Sequence, residues 1–283
     1  MKTTDQTMTM DDGQPIRVLR HEPEAGAPTG VIQFVHGFGE HVRMYDRLAE
    51  FCTEQGYAFV IHDQRGHGEL AQLTPEQRAK ALGVVPSYAL FLSDITAVRA
   101  RIDSWFPDAP AHLWGLSMGG GIAANYVERV PQPRYDKVIL ESPWLRLAQP
   151  KPGVVTAVAR VVGRLHPSMA IDAGLDLDAV TRDQHENQTL RDDPFYHGRI
   201  SLRLYAQIVA AGEYAIAHAG DITRPTLLLT GSGDRIVSVE AIREFAAKAG
   251  PSLSLRQFDG AYHCLHYDTN SAEVRAVIMD FLG

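Results

Sequence analysis

The sequence predicts an α/β fold: a mostly parallel sheet of about eight strands, with an antiparallel N-terminal edge, flanked by helices. Three observations lead there. Short apolar runs of strand type alternate with segments that keep the 3.6-residue helical period. Glycine-containing loops close several of the strand-like runs, at 36–39, 63–68 and 231–234. The chain also has 283 residues, 45% hydrophobic and 22% charged, an ordinary globular composition that can bury roughly 75% of its unfolded surface in one large core.

The elements follow in order. Asp12-Gly13 favours a tight hairpin turn and separates a polar first strand from a second over 16–19. Residues 31–35 form an apolar run of buried-strand type ending at His36-Gly37. Met44, Leu48, Phe51 and Cys52 then recur at helical spacing, and Gly56 supplies a stop before the strand at 57–61. Ser87 is placed to cap a helix whose apolar positions run from Tyr88 through Phe91, Ile95, Val98 and Ile102 to Trp105. A strand at 111–114, a helix at 118–129 and a strand at 138–140 come next. The last two strands lie at 226–230 and 253–258, each followed by a helix.

Between 143 and 197 the alternation stops. The segment is rich in Pro, Asp and Arg, carries one apolar helix near 153–165 and offers no clear strand. An insertion of this kind suits a cap over a binding site. The expected division is a core of 1–142 and 198–283 and a cap of 143–197. Val154, Val155, Val158, Val161, Val162 and Leu165 lie on more than one face of the cap helix, which is expected either to line a pocket or to pack into the core.

Composition excludes several functions. Lys plus Arg number 27 against 34 Asp plus Glu, a net charge of −7, whereas a nucleic-acid footprint needs a basic surplus. Cys52 and Cys264 form no CxxC pattern and read as two free thiols. The first 19 residues contain no apolar signal core, and the most apolar stretch, 152–165, is interrupted by Arg160 and too short to span a bilayer. A soluble, cytoplasmic protein is expected. No GxGxxG opens a helix and no GxxxxGK[ST] loop is present, so no cofactor is expected.

Gly115-Leu116-Ser117-Met118-Gly119 matches G-x-S-x-G, in which a sharp strand-to-helix turn lifts the serine hydroxyl above the sheet. The turn strains the serine backbone, and a Cβ two residues to either side would collide with the neighbouring strand and helix, so glycine stands there. A serine hydroxyl needs an imidazole to take its proton and a third group to orient that imidazole. Asp234 follows the strand at 226–230 and His263 follows the strand at 253–258, both at the carboxyl edge where open α/β sheets place their sites. His266, three residues further on, is an alternative base and Asp259 an alternative acid; loop geometry favours His263 and Asp234. His263-Cys264-Leu265-His266 has no second ligand cluster at metal spacing, so no metal is expected. Two backbone N–H groups suit an oxyanion hole: that of Met118, after the nucleophile, and that of Phe38, in the His36-Gly37-Phe38-Gly39 loop. His36 is then structural, and the 63–68 loop supports it.

Together HGFGEH (36–41), DQRGHG (63–68), GLSMGG (115–120), GSGD (231–234) and GAYHCLH (260–266) resemble the monoacylglycerol lipase and lysophospholipase branch of the α/β-hydrolase family, from about residue 10 to the C-terminus. The resemblance implies the α/β-hydrolase fold, with Ser117, Asp234 and His263 as triad and the Phe38 and Met118 amides as oxyanion donors. It also implies that 143–197 is the cap, because DDPFYHGRIS (192–201) is similar to the segment where that family's chain returns to the core. Glu40 and His266 match positions near the alcohol end of the substrate. Two departures stand out: the elbow carries Leu116 where the family commonly has histidine, and Met44 replaces an arginine associated in monoacylglycerol lipases with the glycerol end. What the resemblance implies is a serine carboxylic-ester hydrolase working through an acyl-enzyme on a small acyl ester or lysolipid, with any transient membrane-surface contact made by the cap. The same scaffold also serves peptidases, thioesterases, carbon–carbon bond hydrolases and non-catalytic ligand receptors.

Overall fold

The computed structural model describes residues 1–70 and 73–283. Its first part runs β1 (Lys2–Thr9), β2 (Pro15–Glu22), β3 (Gly30–Val35), α1 (Asp46–Glu54), β4 (Tyr57–His62), α2 (Pro75–Ala81), α3 (Ala89–Trp105), β5 (Ala111–Leu116), α4 (Met118–Arg129) and β6 (Lys137–Glu141). Then come α5 (Gly153–Leu165), β7 (Ala170–Asp172), α6 (Gln184–Asp192), β8 (Arg199–Ser201), α7 (Leu202–His218), β9 (Thr226–Gly231), α8 (Val239–Lys248), β10 (Leu253–Phe258) and α9 (Ser271–Leu282).

Among the described residues the main sheet has eight strands in the order β1-β2-β4-β3-β5-β6-β9-β10. β1 and β2 pair antiparallel around Gly13, whose φ of +83° is the left-handed conformation that the Asp-Gly turn supplies. β2 pairs antiparallel with β4, and every later pairing is parallel. β3 has β4 on one side and β5 on the other, so the order of connection reverses at β3. Such a reversal opens a crevice at the carboxyl ends of the two strands, and ligands bind there.

Strand periodicity sorts the core onto two faces. Ile32 and Phe34 of β3, with Trp114 and Leu116 of β5, pack against Leu48 of α1 and Val274 and Ile278 of α9. Val35 and Leu113 point the other way, toward Phe91 and Ile95 of α3, Ile122 of α4, Ile208 of α7 and Phe245 of α8. The polar Gln33 is tolerated inside because its amide donates to the Ile95 carbonyl at 3.2 Å and its oxygen accepts from the Tyr135 hydroxyl at 2.6 Å.

Three helices escape the apolar-period reading. α2 has no buried residue and is set by a capping box between Thr74 and Gln77, with Pro75 at its first turn. The short α6 buries only Asn187 and Leu190 and starts at the Asp183 cap. α7 is different, because Leu204, Ile208, Ala211 and Ala215 keep helical spacing behind the Ser201 cap, a signal present in the sequence. The 143–197 segment also holds one strand where none was expected: β7 is only three residues long and pairs antiparallel with β8. Three residues cannot display a period, so their pairing partner alone defines them.

α5 corrects one expectation. Val154, Val155, Val158, Val161 and Leu165 are between 44% and 72% exposed, so they do not pack into the core. The helix instead buries its small residues Ala159 and Gly163. A Cβ at Gly163 would overlap the backbone of Arg203, and the Arg203 side chain donates to the Gly163 carbonyl. Close approach to α7 along this small-residue edge turns the bulky valines outward.

Candidate active site

β5 runs into α4 with one residue, Ser117, between them. Ser117 has φ +55° and ψ −118°, a conformation that costs a non-glycine residue on the order of 1–3 kcal/mol. Its neighbours enforce it: the Ser117 N–H donates to the Glu141 carbonyl at 2.9 Å, and its own carbonyl accepts from Trp144 N at 2.8 Å and Gly121 N at 2.9 Å. A Cβ on Gly115 would overlap the Gly119 carbonyl, and one on Gly119 would overlap the carbonyls of Val35 and His36. Both glycines of the elbow therefore stand where only glycine fits.

Val35, at the end of β3, lies in register with Gly115, which delivers the 36–39 loop beside the elbow. His36 acts on backbone: its Nδ1–H donates to the Gly37 carbonyl at 2.8 Å and its Nε2 accepts from Gln64 N at 2.9 Å. Gln64 returns a bond from its amide to the His36 carbonyl at 2.5 Å. Burial holds the His36 imidazole well below the usual histidine range, so it stays neutral. The Phe38 ring is wedged among His67, Trp144 and His197. Among the described residues no backbone or side-chain acceptor takes the Phe38 N–H. Met118 opens α4, so its N–H has no carbonyl one turn earlier.

Asp234 sits three residues past the end of β9 and is buried. Its Oδ1 accepts from Ile236 N at 2.8 Å and Val237 N at 3.0 Å, while Oδ2 faces His263 Nδ1 at 2.7 Å. Nδ1–H donates to the carboxylate, which fixes the ring and leaves Nε2 for proton transfer. Burial by itself lowers the His263 pKa, but the Asp234 charge and hydrogen bond, joined by the Glu40 and Glu141 charges, outweigh it and the pKa is raised. The His263 carbonyl accepts from the Ser142 hydroxyl at 2.7 Å. Among the described residues no hydrogen bond joins the Ser117 hydroxyl to the imidazole. The elbow and the histidine loop are tied together at Glu141-Ser142.

The alternative base and acid are placed elsewhere. Asp259 is exposed and accepts from the Ser232 hydroxyl at 2.9 Å. His266 is fully buried among the rings of Phe34, Tyr45, Trp114 and Tyr267, with Nδ1 at 2.9 Å from both oxygens of Glu141. Sequence reasoning missed Glu141; the available signal was one acid at the end of the otherwise apolar run VILE.

Glu40 and Met44 line a cavity of about 360 Å³ between the 42–47 segment and α6, together with Tyr45, Glu186, Cys264 and Tyr267. His266 does not line it and sits behind Tyr45, Cys264 and Tyr267, so direct substrate contact at His266 has no support in the geometry. Glu40 accepts from the Gly37 N–H at 2.5 Å and from the Tyr45 hydroxyl, and burial raises its pKa. Ligand-type atoms of Glu141, Cys264 and His266 come within 4.8 Å of one another. Glu141 is already held by His266 and Trp114, and burial pushes the Cys264 thiol far from ionising, so these groups do not offer the free anionic donors a metal takes.

The model of the serine aminopeptidase S33 family matches residues 26–270. The chain belongs to that family. Within it, this S33 member falls in the monoacylglycerol lipase-like branch of the α/β-hydrolases. The monoglyceride lipase of Mus musculus is 30% identical to it over 263 residues, covering 90% of this chain and 82% of that one. A relative from Schizosaccharomyces pombe is 29% identical over 245 residues, 85% of this chain, and the chain spans 63% of its length. The crystal structure of Paleococcus ferrophilus monoacylglycerol lipase superposes with a TM-score of 0.81 at 27% identity, over 94% of this chain and 98% of that one.

Proposed function

We propose that this family member, a carboxylic-ester hydrolase, cleaves small monoacyl esters of the monoacylglycerol and lysophospholipid type through an acyl-enzyme intermediate. Ser117 attacks the ester carbonyl and His263 Nε2 takes its proton. The tetrahedral oxyanion is met by the Phe38 and Met118 N–H groups. His263 then gives the proton to the leaving alcohol, and water repeats the sequence to release the acid. The observation that carries the reading is the strained Ser117 at a glycine-enforced elbow, set beside an oriented, buried Asp234–His263 pair at the same sheet edge.

Glu40 and Met44, on the cavity beside Cys264, take the alcohol end of the substrate. Met44 puts a thioether there in place of a cation, so the site does not single out glycerol among the alcohols of such esters. Residues 143–197 act as the cap. The outward valines of α5 lie on a helix with Arg160 and Arg164 and no acid, the pattern of an interfacial helix, and this face makes the membrane-surface contact.

The test is a chain-length series of p-nitrophenyl esters beside aminoacyl anilides, for wild type and Ser117→Ala. Ester turnover should exceed anilide turnover, and Ser117→Ala should lose kcat on the order of 10⁴- to 10⁶-fold together with fluorophosphonate labelling. Retained labelling in Ser117→Ala removes the nucleophile assignment; preference for anilides moves the activity to peptidase.

A further inference from the structure

His263 and His266 lie three residues apart on one loop, and each has Nδ1 on a buried carboxylate at the end of a different strand. For His263 the carboxylate is Asp234, after β9. For His266 it is Glu141, the last residue of β6. Glu141 is fully buried, and both its oxygens are used: Oε2 accepts from the Trp114 indole at 3.0 Å, and Oε1 accepts from the His266 backbone N–H at 3.1 Å. Its own carbonyl accepts from the Ser117 N–H. The next residue, Ser142, holds a φ of +40°, donates from its N–H to the Leu229 carbonyl at 2.9 Å, and donates from its hydroxyl to the His263 carbonyl. Two consecutive residues thus touch the nucleophile's amide, the base's carbonyl and the second histidine.

We propose that Glu141 is a positioning residue for the hydrolysis. With Ser142 it clamps the 260–266 loop so that His263 is held over the elbow, and its buried negative charge favours the imidazolium that His263 becomes when it takes the serine proton. The inference rests on the triad reading above. A fully buried carboxylate against the Trp114 indole, bonded to a histidine that packs on the Phe34 and Tyr45 rings, is a poor choice for packing alone, because a buried charge has to be compensated by partners. Every partner it has belongs to the histidine loop or to β5, the strand of the elbow. The charged and titratable groups facing His263 are Asp234, Glu40 and Glu141, and those facing His266 are Glu141, Glu40, Cys264, Tyr45 and Tyr267, with Arg275 bonded to the His266 carbonyl.

The experiment measures kcat and KM for p-nitrophenyl butyrate from pH 5 to 9, with a melting curve for each protein. The variants are Glu141→Gln, Glu141→Leu, Ser142→Ala and, as a check on the triad itself, Ser117→Ala. Glu141→Gln keeps the size and loses the charge: kcat should fall about 10-fold with KM within about twofold, and the acid limb of kcat/KM should move to lower pH. Glu141→Leu should lose about 100-fold, with Gln as the partial rescue, and Ser142→Ala should lose about fivefold with the acid limb unmoved. A Glu141→Gln enzyme with kcat within twofold of wild type and an unmoved acid limb overturns the proposal. So does a loss that merely follows the melting temperature and vanishes on cooling. If Glu141→Leu does not fold, Glu141→Gln and Ser142→Ala decide. Full activity in Ser117→Ala instead refutes the triad, whatever the Glu141 variants do.

Discussion

Gly119→Ala tests the elbow through a single methyl group. A Cβ built at Gly119 lies 2.5 Å from the His36 carbonyl oxygen, and the Val35 carbonyl is closer still. An ordinary carbon–oxygen contact is roughly 3.3 Å, so the backbones of α4 and of the 35–38 segment must part by about 1.3 Å to clear the Val35 carbonyl. Both obstacles are main-chain atoms and cannot swing aside as a side chain would. The displaced segment leads into the Phe38 N–H, and the displaced helix begins with the Met118 N–H. Loss of one oxyanion donor costs about 10²- to 10³-fold in kcat. Overpacking costs about 1–3 kcal/mol of stability, a fall of roughly 2–12 °C in Tm. The assay is steady-state hydrolysis of p-nitrophenyl butyrate, with the fluorophosphonate labelling rate and a melting curve. Gly250→Ala is the control, because a Cβ there meets nothing within 4 Å and should leave kcat unchanged. A Gly119→Ala enzyme with kcat within threefold of wild type and an unaltered Tm would refute the steric argument.

Three further outcomes are expected. Asp234→Asn removes the main group that raises the His263 pKa, so the acid limb of kcat/KM should move to lower pH while kcat falls about 10³- to 10⁴-fold; a limb that stays in place or moves upward contradicts the assignment. Burial lowers His21, His62, His67 and His112 to about 4 and His197 to about 3. A depressed histidine adds stability that is present above pH 6.5 and lost as pH falls toward 4, about 2 kcal/mol each at pH 5, so Tm at pH 5 should lie at least ~5 °C below Tm at pH 7.5. A flat or rising Tm toward pH 5 rules that out. Arg65 grips the buried Asp94 with Nε at 2.6 Å and a second nitrogen at 2.7 Å, so Arg65→Leu should destabilise by about 3–5 kcal/mol in urea unfolding, with partial recovery on adding Asp94→Leu. A loss under about 1 kcal/mol would show that the pair carries no such weight.

The legible part of this protein is the part written in local chemistry. Alternation of apolar runs, the Asp12-Gly13 turn and the strand-ending glycine loops specify an eight-stranded sheet with its antiparallel edge, because strand and helix periods are properties of neighbouring residues. G-x-S-x-G was readable as a local pattern, and the limit on Gly115 is set within a few residues of Ser117, whereas the carbonyls that exclude a side chain at Gly119 belong to Val35 and His36, far away in the chain. Tertiary structure alone decided which way α5 faces, since Ala159 and Gly163 gain their meaning only when α7 lies against them. It also decided the partners of His266. Nothing near Glu141 in the chain marks it as a carboxylate for a histidine 125 residues later; only the parallel packing of β5, β6 and β9 brings that strand end under the histidine loop. Local pattern determines which elements form, whereas long-range pairing determines which buried charges meet, and the second carries no trace in a window of a few residues.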